Sequence, residues 1–232
     1  FNPGPSFMDL TRRVIDVIGF DEILLACNYV LERDKESIVK ELGKKNLSSI
    51  LKIEGLTTDR MIKFAFPVID ANFALVLGQA YNNRNIDLCR AWLLGKQMTA
   101  SELGRLNVSS SISSNDYAVK ILSDTLRIIL SRHHSLVLLI DELEDISNLS
   151  KSDAISYAKS LRRLIDENIP GLKMIFTFTA DAFEYFQKGT GPFQGKSYAA
   201  LIDRLAPGLG LNALTLDETI QFIKDYISLA YK

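Results

Sequence analysis

The stretch Ser135-Leu136-Val137-Leu138-Leu139-Ile140-Asp141-Glu142 decides the fold, because a continuous apolar run ends there in two adjacent carboxylates. A run of this kind predicts a β-strand that is buried on both faces of a parallel sheet. In such sheets, ligands bind beyond the carboxyl ends of the strands. An Asp at that edge can hold Mg²⁺ through its oxygens, and a neighbouring Glu can orient or deprotonate a water molecule. The alternative is a core strand that ends in a solvated acidic turn over residues 141–145.

Composition limits the class of protein. The chain has 232 residues, of which 47% are hydrophobic and 24% charged, as in a globular protein with one α/β domain or with a domain and part of another. A formal net charge of -1 gives no overall attraction to nucleic acid, so any DNA contact would need a local basic patch. Cys27 and Cys89 lack zinc-site spacing, and no apolar run approaches the roughly 18 residues of a membrane span. We therefore predict a cytoplasmic protein with two buried thiols.

Helical periodicity dominates residues 1–112. Thr99 and Glu102 have the spacing of a capping box, Pro67 suits the first turn of a helix, and Trp92 is a candidate core anchor. The predicted helices cover residues 10–18, 22–31, 35–44, 58–66, 67–80, 86–94 and 99–106.

From Ser114 onward, helices alternate with strands. A helix over residues 114–132 precedes the acidic-ended strand, and Ser150 or Ser152 can cap the helix that follows it. Apolar and β-branched residues predict a second strand over residues 172–179, and residues 209–214 predict a third. Because a strand, a helix and a strand with tight connections form a βαβ unit, we predict an α/β fold with a parallel sheet.

This order of elements resembles the AAA+ branch of P-loop ATPases, in which the apolar residues followed by Asp141-Glu142 correspond to the Walker B motif. Within that branch, the segments 90–95 and 98–108 and the helix before Leu136 are similar to the ATP-binding proteins of BREX-type phage defence systems and their archaeal relatives. The likeness extends over roughly residues 88–215. It implies a partial P-loop NTPase sheet with a large N-terminal helical portion. Residues 1–112 would be that portion, residues 113–214 the ATPase core, and residues 215–232 the start of a C-terminal helical lid.

The resemblance also implies a role for each of five residues. Asp141 would coordinate the Mg²⁺ of bound MgATP, and Glu142 would polarise the hydrolytic water. Thr177 and Thr179 match the position that senses the γ-phosphate, with Thr179 favoured because it lies nearest the end of the predicted strand. Arg204 resembles the arginine that reaches a phosphate, usually in a neighbouring subunit. The alternatives are that the threonines are ordinary strand residues and that Arg204 is solvated or forms a surface ion pair.

The sequence departs from the family pattern at the phosphate loop. No GxxxxGK[ST] motif precedes Asp141. The fragment Gly191-Pro192-Phe193-Gln194-Gly195-Lys196-Ser197 is one residue short, follows a helical segment and lies after the acidic strand, so we interpret it as a flexible loop. We predict a Walker A segment upstream of Phe1, and weak or no nucleotide binding by these residues alone.

The functional expectation is the core of an ATPase that uses ATP binding or hydrolysis to drive a conformational or assembly step in nucleic-acid-related defence. The expected partners are a second copy of the chain or another protein. One alternative is a non-catalytic scaffold or nucleotide-gated interaction module of the same fold. Another is a two-metal nuclease or phosphatase built from the carboxylates of residues 141–145, for which the sequence offers no second carboxylate or His cluster.

Overall fold

A computed structural model describes residues 4–34, 36 and 58–205 of the chain. In these residues, helices form most of the structure, and two strands form one small parallel sheet. The helices are α1 (Phe7–Ile18), α2 (Phe20–Arg33), α3 (Thr58–Ala65), α4 (Ala71–Tyr81), α5 (Ile86–Leu93), α6 (Ala100–Leu106), α7 (Asn115–Arg132), α8 (Lys151–Asp166), α9 (Ala180–Lys188) and α10 (Lys196–Ile202). The strands are β1 (Leu136–Ile140) and β2 (Leu172–Phe176), and 3₁₀ turns cover Leu143–Asn148 and Gly191–Phe193.

Polar side chains at helix starts explain several boundaries. The predicted capping box is confirmed, since Thr99 Oγ1 accepts from the Glu102 amide at 3.3 Å and Glu102 Oε2 accepts from the Thr99 amide at 2.8 Å. Ser150 caps α8, as one of the two predicted candidates. These side chains satisfy backbone N–H groups that have no partner within the first turn.

The prediction that Pro67 lies in the first turn of a helix is wrong. Helix α4 begins at Ala71, and the carboxylate of Asp70 accepts hydrogen bonds from the amides of Asn72 at 2.9 Å and Phe73 at 3.2 Å. A charged cap of this kind fixes the helix start more strongly than the φ preference of Pro67 does. The predicted helix over residues 35–44 (apart from Glu36), the strand over residues 209–214 and the helix that opens at Thr215 lie outside the described residues.

One hydrophobic core joins the N-terminal helices to the strand-containing part of the chain. It extends from Phe7 in α1 to Leu201 in α10, and the rings of Phe7 and Tyr157 meet edge to face at 5.6 Å. Trp92 is fully buried and its Nε1 donates to the Ser110 carbonyl at 2.8 Å, which confirms it as a core residue. The boundary near residue 112 stays a prediction, because the core continues across it.

The two predicted thiols, Cys27 and Cys89, are both buried and free of a disulfide. Burial raises the pKa of Cys27 to about 12 and that of Cys89 to about 11, so neither is reactive at neutral pH. Within the described residues, no helix combines the length and the hydrophobicity that crossing a membrane requires.

The sheet confirms the predicted parallel pairing. Residues of β1 and β2 pair in register from Leu136 with Leu172 to Ile140 with Phe176, and α8 makes the crossover between the strands. This arrangement is the βαβ unit that the sequence predicts.

The prediction that β1 is buried on both faces is wrong. Leu138 and Ile140 are 2% and 0% exposed, whereas Val137 and Leu139 on the other face are 57% and 45% exposed. Alternate residues of a strand point to opposite faces, so among the described residues the hydrophobic core lies on one side of this sheet. The continuous apolar run therefore does not distinguish a strand buried on one face from a strand buried on two.

A buried carboxylate joins α7 to the start of α4. Asp124 is 2% exposed, and its Oδ2 accepts a hydrogen bond from the Asp70 amide at 2.8 Å. Arg127 Nη1 lies 3.4 Å from Asp124 Oδ1, and Tyr117 donates its hydroxyl to Asp70 Oδ1 at 3.0 Å. Burial raises the pKa of Asp124 above its ordinary value.

We expect Asp124→Ala to lower the free energy of unfolding by about 2 kcal/mol at pH 7, because it leaves the Asp70 amide without an acceptor. Asp124→Asn keeps an acceptor and should cost less. Chemical denaturation of both variants and the wild type measures the difference. Equal losses in the two variants would show that the hydrogen bond accepted by Asp124 does not stabilise the fold.

The raised pKa of Asp124 makes the free energy of unfolding depend on pH, and the direction of the pKa shift gives the sign. Since its pKa is raised, the folded state binds the Asp124 proton more tightly than the unfolded state does. Its contribution to the free energy of unfolding therefore falls as pH rises from the ordinary value of 3.8 through the raised pKa, and stays constant above it. Asp124→Asn should remove this component from denaturation curves recorded across that pH range.

Candidate functional site

The candidate site lies at the carboxyl ends of the two strands. Asp141 follows β1 and Thr177 follows β2, and the pairing of Ile140 with Phe176 places these two residues side by side. The backbone ladder continues past the strands, since the Thr177 amide donates to the Ile140 carbonyl and the Leu143 amide donates to the Thr177 carbonyl, both at 3.0 Å. The sequence-predicted residues Asp141, Glu142 and Thr177 are thus brought together by main-chain pairing.

The hydroxyl of Thr177 orders this cluster. It donates a hydrogen bond to Asp141 Oδ1 and accepts one from the Glu142 amide at 3.1 Å. The Glu142 amide also lies 3.1 Å from Asp141 Oδ1. A hydroxyl has one donor and two acceptor positions, so these two contacts fix its rotation. The Asp141 carboxylate is therefore held at the sheet edge while remaining exposed to solvent.

Glu142 has a left-handed backbone, with φ 53° and ψ 47°. For a residue with a Cβ, this conformation costs roughly 1–2 kcal/mol. The two hydrogen bonds that its amide donates offset part of that cost. The result is a sharp turn directly after the strand, with the Glu142 side chain exposed next to Asp141. Strained residues of this kind cluster at functional sites.

The acidic residues that follow lie on a 3₁₀ turn, Leu143–Asn148, and not on an irregular loop. Leu143 and Ile146 are both 0% exposed and anchor the turn in the core. Because residues three apart lie on one side of a 3₁₀ turn, burial of this side leaves the carboxylates of the remaining positions at or near the surface. Glu142 directly precedes this turn as its N-cap.

Thr179 occupies a different position from the one predicted. Strand β2 ends at Phe176, so Thr179 is not a strand residue; it is the N-cap of α9. The prediction that the strand continues to Thr179 is wrong, because pairing with β1 ends at Thr177 and α9 begins at Ala180. Thr177 is the threonine that contacts Asp141, and the preference for Thr179 as the residue that senses the γ-phosphate stays a prediction.

Glu144 also belongs to this cluster, although the sequence analysis predicted no role for it in the nucleotide site. Its Oε1 accepts a hydrogen bond from the Thr179 amide at 2.9 Å, so it joins the turn after β1 to the segment after β2. Its Oε2 is buried and has no hydrogen-bond partner among the described residues. The sequence shows Glu144 only as one acid in the run 141–145, and nothing in that run identifies the contact with Thr179.

Arg204 lies apart from this cluster. Its Nε donates to Asp166 Oδ1 at 2.6 Å and its Nη1 donates to the Ala200 carbonyl at 2.9 Å. Asp166 is the last residue of α8, the helix that runs back from the carboxyl edge of the sheet to its amino edge. Arg204 therefore faces the opposite end of the unit from Asp141, and its role toward a neighbouring subunit stays a prediction.

The segment Gly191–Ser197 has more regular secondary structure than predicted. It follows helix α9, as the sequence indicates, but Gly191–Phe193 is a 3₁₀ turn and α10 begins at Lys196. Phe193 is 1% exposed and packs edge to face against Phe186 at 5.3 Å. The interpretation of this segment as a loop is wrong for this reason, and its flexibility stays a prediction.

Comparison with protein families shows to which family the chain belongs. Residues 28–221 match the family model described as BREX system ATP-binding protein BrxC/D. The chain belongs to this family. No curated protein and no solved structure matches it. The resemblance to BREX-type ATP-binding proteins is thus confirmed, and membership supports a nucleotide-binding role in phage defence.

The donor set of this BrxC/D-family site fits a hard cation. Mg²⁺ is commonly held by one or two carboxylates together with substrate phosphates, and Asp141 supplies an exposed carboxylate beside the hydroxyl of Thr177. Within the described residues, no group of three or more His, Cys, Asp or Glu side chains could hold a metal by itself. The arrangement therefore suits a magnesium ion that arrives with a phosphate ligand, and it gives no support to a two-metal nuclease.

We expect Glu142→Gly to unfold with a free energy about 1 kcal/mol higher than Glu142→Ala, because glycine adopts the left-handed backbone without a Cβ penalty. Chemical denaturation of both variants measures this difference independently of any activity. The matched control is Glu184, an exposed residue within helix α9, where Gly should be less stable than Ala by about 1 kcal/mol. The same order of Gly and Ala at both positions would contradict the strain assigned to Glu142.

Proposed function

We propose that this chain is the α/β core of a P-loop ATPase of the AAA+ type, acting in BREX-type phage defence. The observation that carries the proposal is the cluster of Asp141, Glu142 and Thr177 at the carboxyl ends of two adjacent parallel strands. Membership of an ATP-binding protein family supports it. In this proposal residues 1–112 are a helical portion, residues 113–214 the ATPase core and residues 215–232 the start of a helical lid.

Asp141 would hold the Mg²⁺ of MgATP, which when bound neutralises charge on the phosphates. The hydrogen bond from Thr177 fixes the orientation of the Asp141 carboxylate, so one oxygen is engaged by the protein and the group cannot rotate freely. A ligand held in this way loses less conformational entropy when it binds a metal ion. Thr177 is thus a supporting residue for the metal ligand as well as a candidate contact to the γ-phosphate.

Glu142 would orient and polarise the attacking water. Its backbone is fixed by the left-handed turn and by two amide hydrogen bonds, and its side chain is exposed beside Asp141. A carboxylate so placed can accept a proton from water that attacks a phosphate held at the sheet edge. Thr179, at the start of α9, is the second candidate for γ-phosphate sensing.

Arg204 would act between subunits. In one chain it lies with Asp166 at the end of α8, away from Asp141. Its planar guanidinium suits phosphate oxygens, and an exposed ion pair is weak enough to be exchanged for such a contact. The role requires self-association, which brings Arg204 of one copy to the nucleotide of the next. ATP binding or hydrolysis would then drive a conformational or assembly step on a partner protein or nucleic acid.

A second candidate function is a non-catalytic scaffold or nucleotide-gated module. The 232 residues contain no GxxxxGK[ST] motif, and an intact protein that lacks the motif throughout its length would fit this candidate. This candidate predicts an intact protein that binds nucleotide without turnover, or that binds none while it holds a partner. Measurement of ATP binding and of ATP turnover in the intact protein separates the two candidates.

We expect Glu142→Gln to lower kcat for ATP hydrolysis in the intact protein by about 100-fold or more, as removal of a general base does. The Kd for ATP should change by no more than about threefold, because the amide keeps the size of the side chain and one acceptor oxygen. Phosphate release and equilibrium nucleotide binding measure the two quantities.

The control for this experiment is Glu184→Gln, which neutralises an exposed carboxylate on α9 that pairs with Lys188. It should leave both kcat and Kd unchanged. Normal turnover by Glu142→Gln would exclude Glu142 as the residue that activates water. Wild-type protein that binds ATP without hydrolysing it would instead favour the scaffold.

A further inference from the structure

Glu144 is the side chain at the strand ends whose contacts the proposed roles do not use. It lies two residues after Glu142 on the 3₁₀ turn, and its side chain reaches across to the segment that follows β2. There Oε1 accepts from the Thr179 amide at 2.9 Å. This is a side-chain bridge between the two loops that carry the proposed catalytic and sensing residues.

The bridge is well placed to control Thr179. Thr179 is the N-cap of α9, and its side chain makes no capping hydrogen bond to that helix. The position of its hydroxyl therefore depends on where its backbone is held. A hydrogen bond to a charged acceptor is about twice as strong as one between neutral groups, so the Glu144 contact is an effective restraint on that backbone.

The second carboxylate oxygen of Glu144 lies in an energetically unfavourable environment. Oε2 is buried, and among the described residues it has no hydrogen-bond partner. A buried carboxylate oxygen without a donor is unfavourable, and an exposed rotamer would hydrate it. The carboxylate nevertheless points inward, where its other oxygen meets the Thr179 amide.

The contacts of Glu144 also form a short path from Thr179 to Glu142. Leu143 and Ile146 are buried and anchor the 3₁₀ turn in the core. A displacement of Thr179 would therefore act on the Glu144 carboxylate, which lies on the same turn two residues after Glu142.

We propose that Glu144 is a positioning residue of the ATPase site, which holds Thr179 through its backbone amide and couples the position of Thr179 to that of Glu142. This inference rests on the proposed function, since it assigns Glu144 a part in the same reaction. Glu144 is not assigned a contact with nucleotide, metal or water.

The test compares Glu144→Ala with Glu144→Gln in the intact protein. Alanine removes the acceptor, whereas glutamine keeps an amide oxygen at the position of Oε1. We expect Glu144→Ala to lower kcat about tenfold, the effect of losing one hydrogen bond to a charged group, with the Kd for ATP changed by less than about threefold. Glu144→Gln should keep kcat within about threefold of the wild type. Glu184→Ala, on α9 but outside the bridge, is the matched control and should leave both quantities unchanged.

A readout that does not depend on ATP measures the bridge itself. Hydrogen–deuterium exchange of a peptide covering residues 177–183 should show about tenfold faster exchange of the Thr179 amide in Glu144→Ala, and a smaller increase in Glu144→Gln, whose acceptor is neutral. Unchanged exchange in Glu144→Ala would overturn the proposed bridge, whatever the protein does with ATP. A wild type that neither binds nor hydrolyses ATP would overturn the proposed function instead, and the coupling with it.

A double variant tests whether Glu144 acts through Thr179. If it does, Glu144→Ala combined with Thr179→Val should be no slower than the slower single variant, because both changes break the same path. Losses that multiply would show that the two residues act independently and would overturn the proposal. It would also be overturned by a Glu144→Gln variant as slow as Glu144→Ala, or by a Glu144→Ala variant that loses ATP binding in proportion to kcat.

Discussion

The parallel pairing of β1 with β2 is the constraint on which the site depends. The register that sets Ile140 opposite Phe176 also sets Asp141 beside Thr177 and allows the Leu143 amide to reach the Thr177 carbonyl. A shift of one residue in this register would turn the buried face of each strand toward solvent and separate the carboxylate from the hydroxyl. Burial of Leu138 and Ile140 on the core side therefore fixes the geometry of polar groups that are themselves exposed.

The helical part of the chain supports this register from a distance. In α2, Glu22 accepts a hydrogen bond from Arg132 Nη1 at 2.5 Å and lies 2.9 Å from His133 Nε2, at the end of the helix that leads into β1. The hydrogen bond to His133, which has the larger effect, and the one to Arg132 hold the pKa of Glu22 below its ordinary value. Phe7 of α1 packs against Tyr157 of α8, the crossover helix. The helices before and between the strands are thus both in contact with the N-terminal portion.

Sequence reasoning recovered the features that depend on local chemistry. The capping box at Thr99, the alternation of helix and strand and the acidic strand end all follow from residues close together in the chain. It failed where distant residues decide the outcome. The length of β2 depends on where β1 ends, so Thr179 could not be told from a strand residue, and the Glu144 contact joins residues 35 positions apart. The single buried face of β1 depends on which side the helices pack, which the apolar run does not encode.

The spacing of three apolar residues explains how the acidic turn after β1 keeps its shape. Leu143, Ile146 and Leu149 recur every three residues, the period of a 3₁₀ turn, and all three belong to the hydrophobic core or pack against it. A strand period of two does not fit this spacing, so the pattern separates the turn from a strand. Within the turn, the same spacing places Glu144 on a second side and Asp145 on a third. Glu144 lies on the side that meets Thr179. Glu142 precedes the turn, and its left-handed backbone is the local cost of joining the turn directly to a strand.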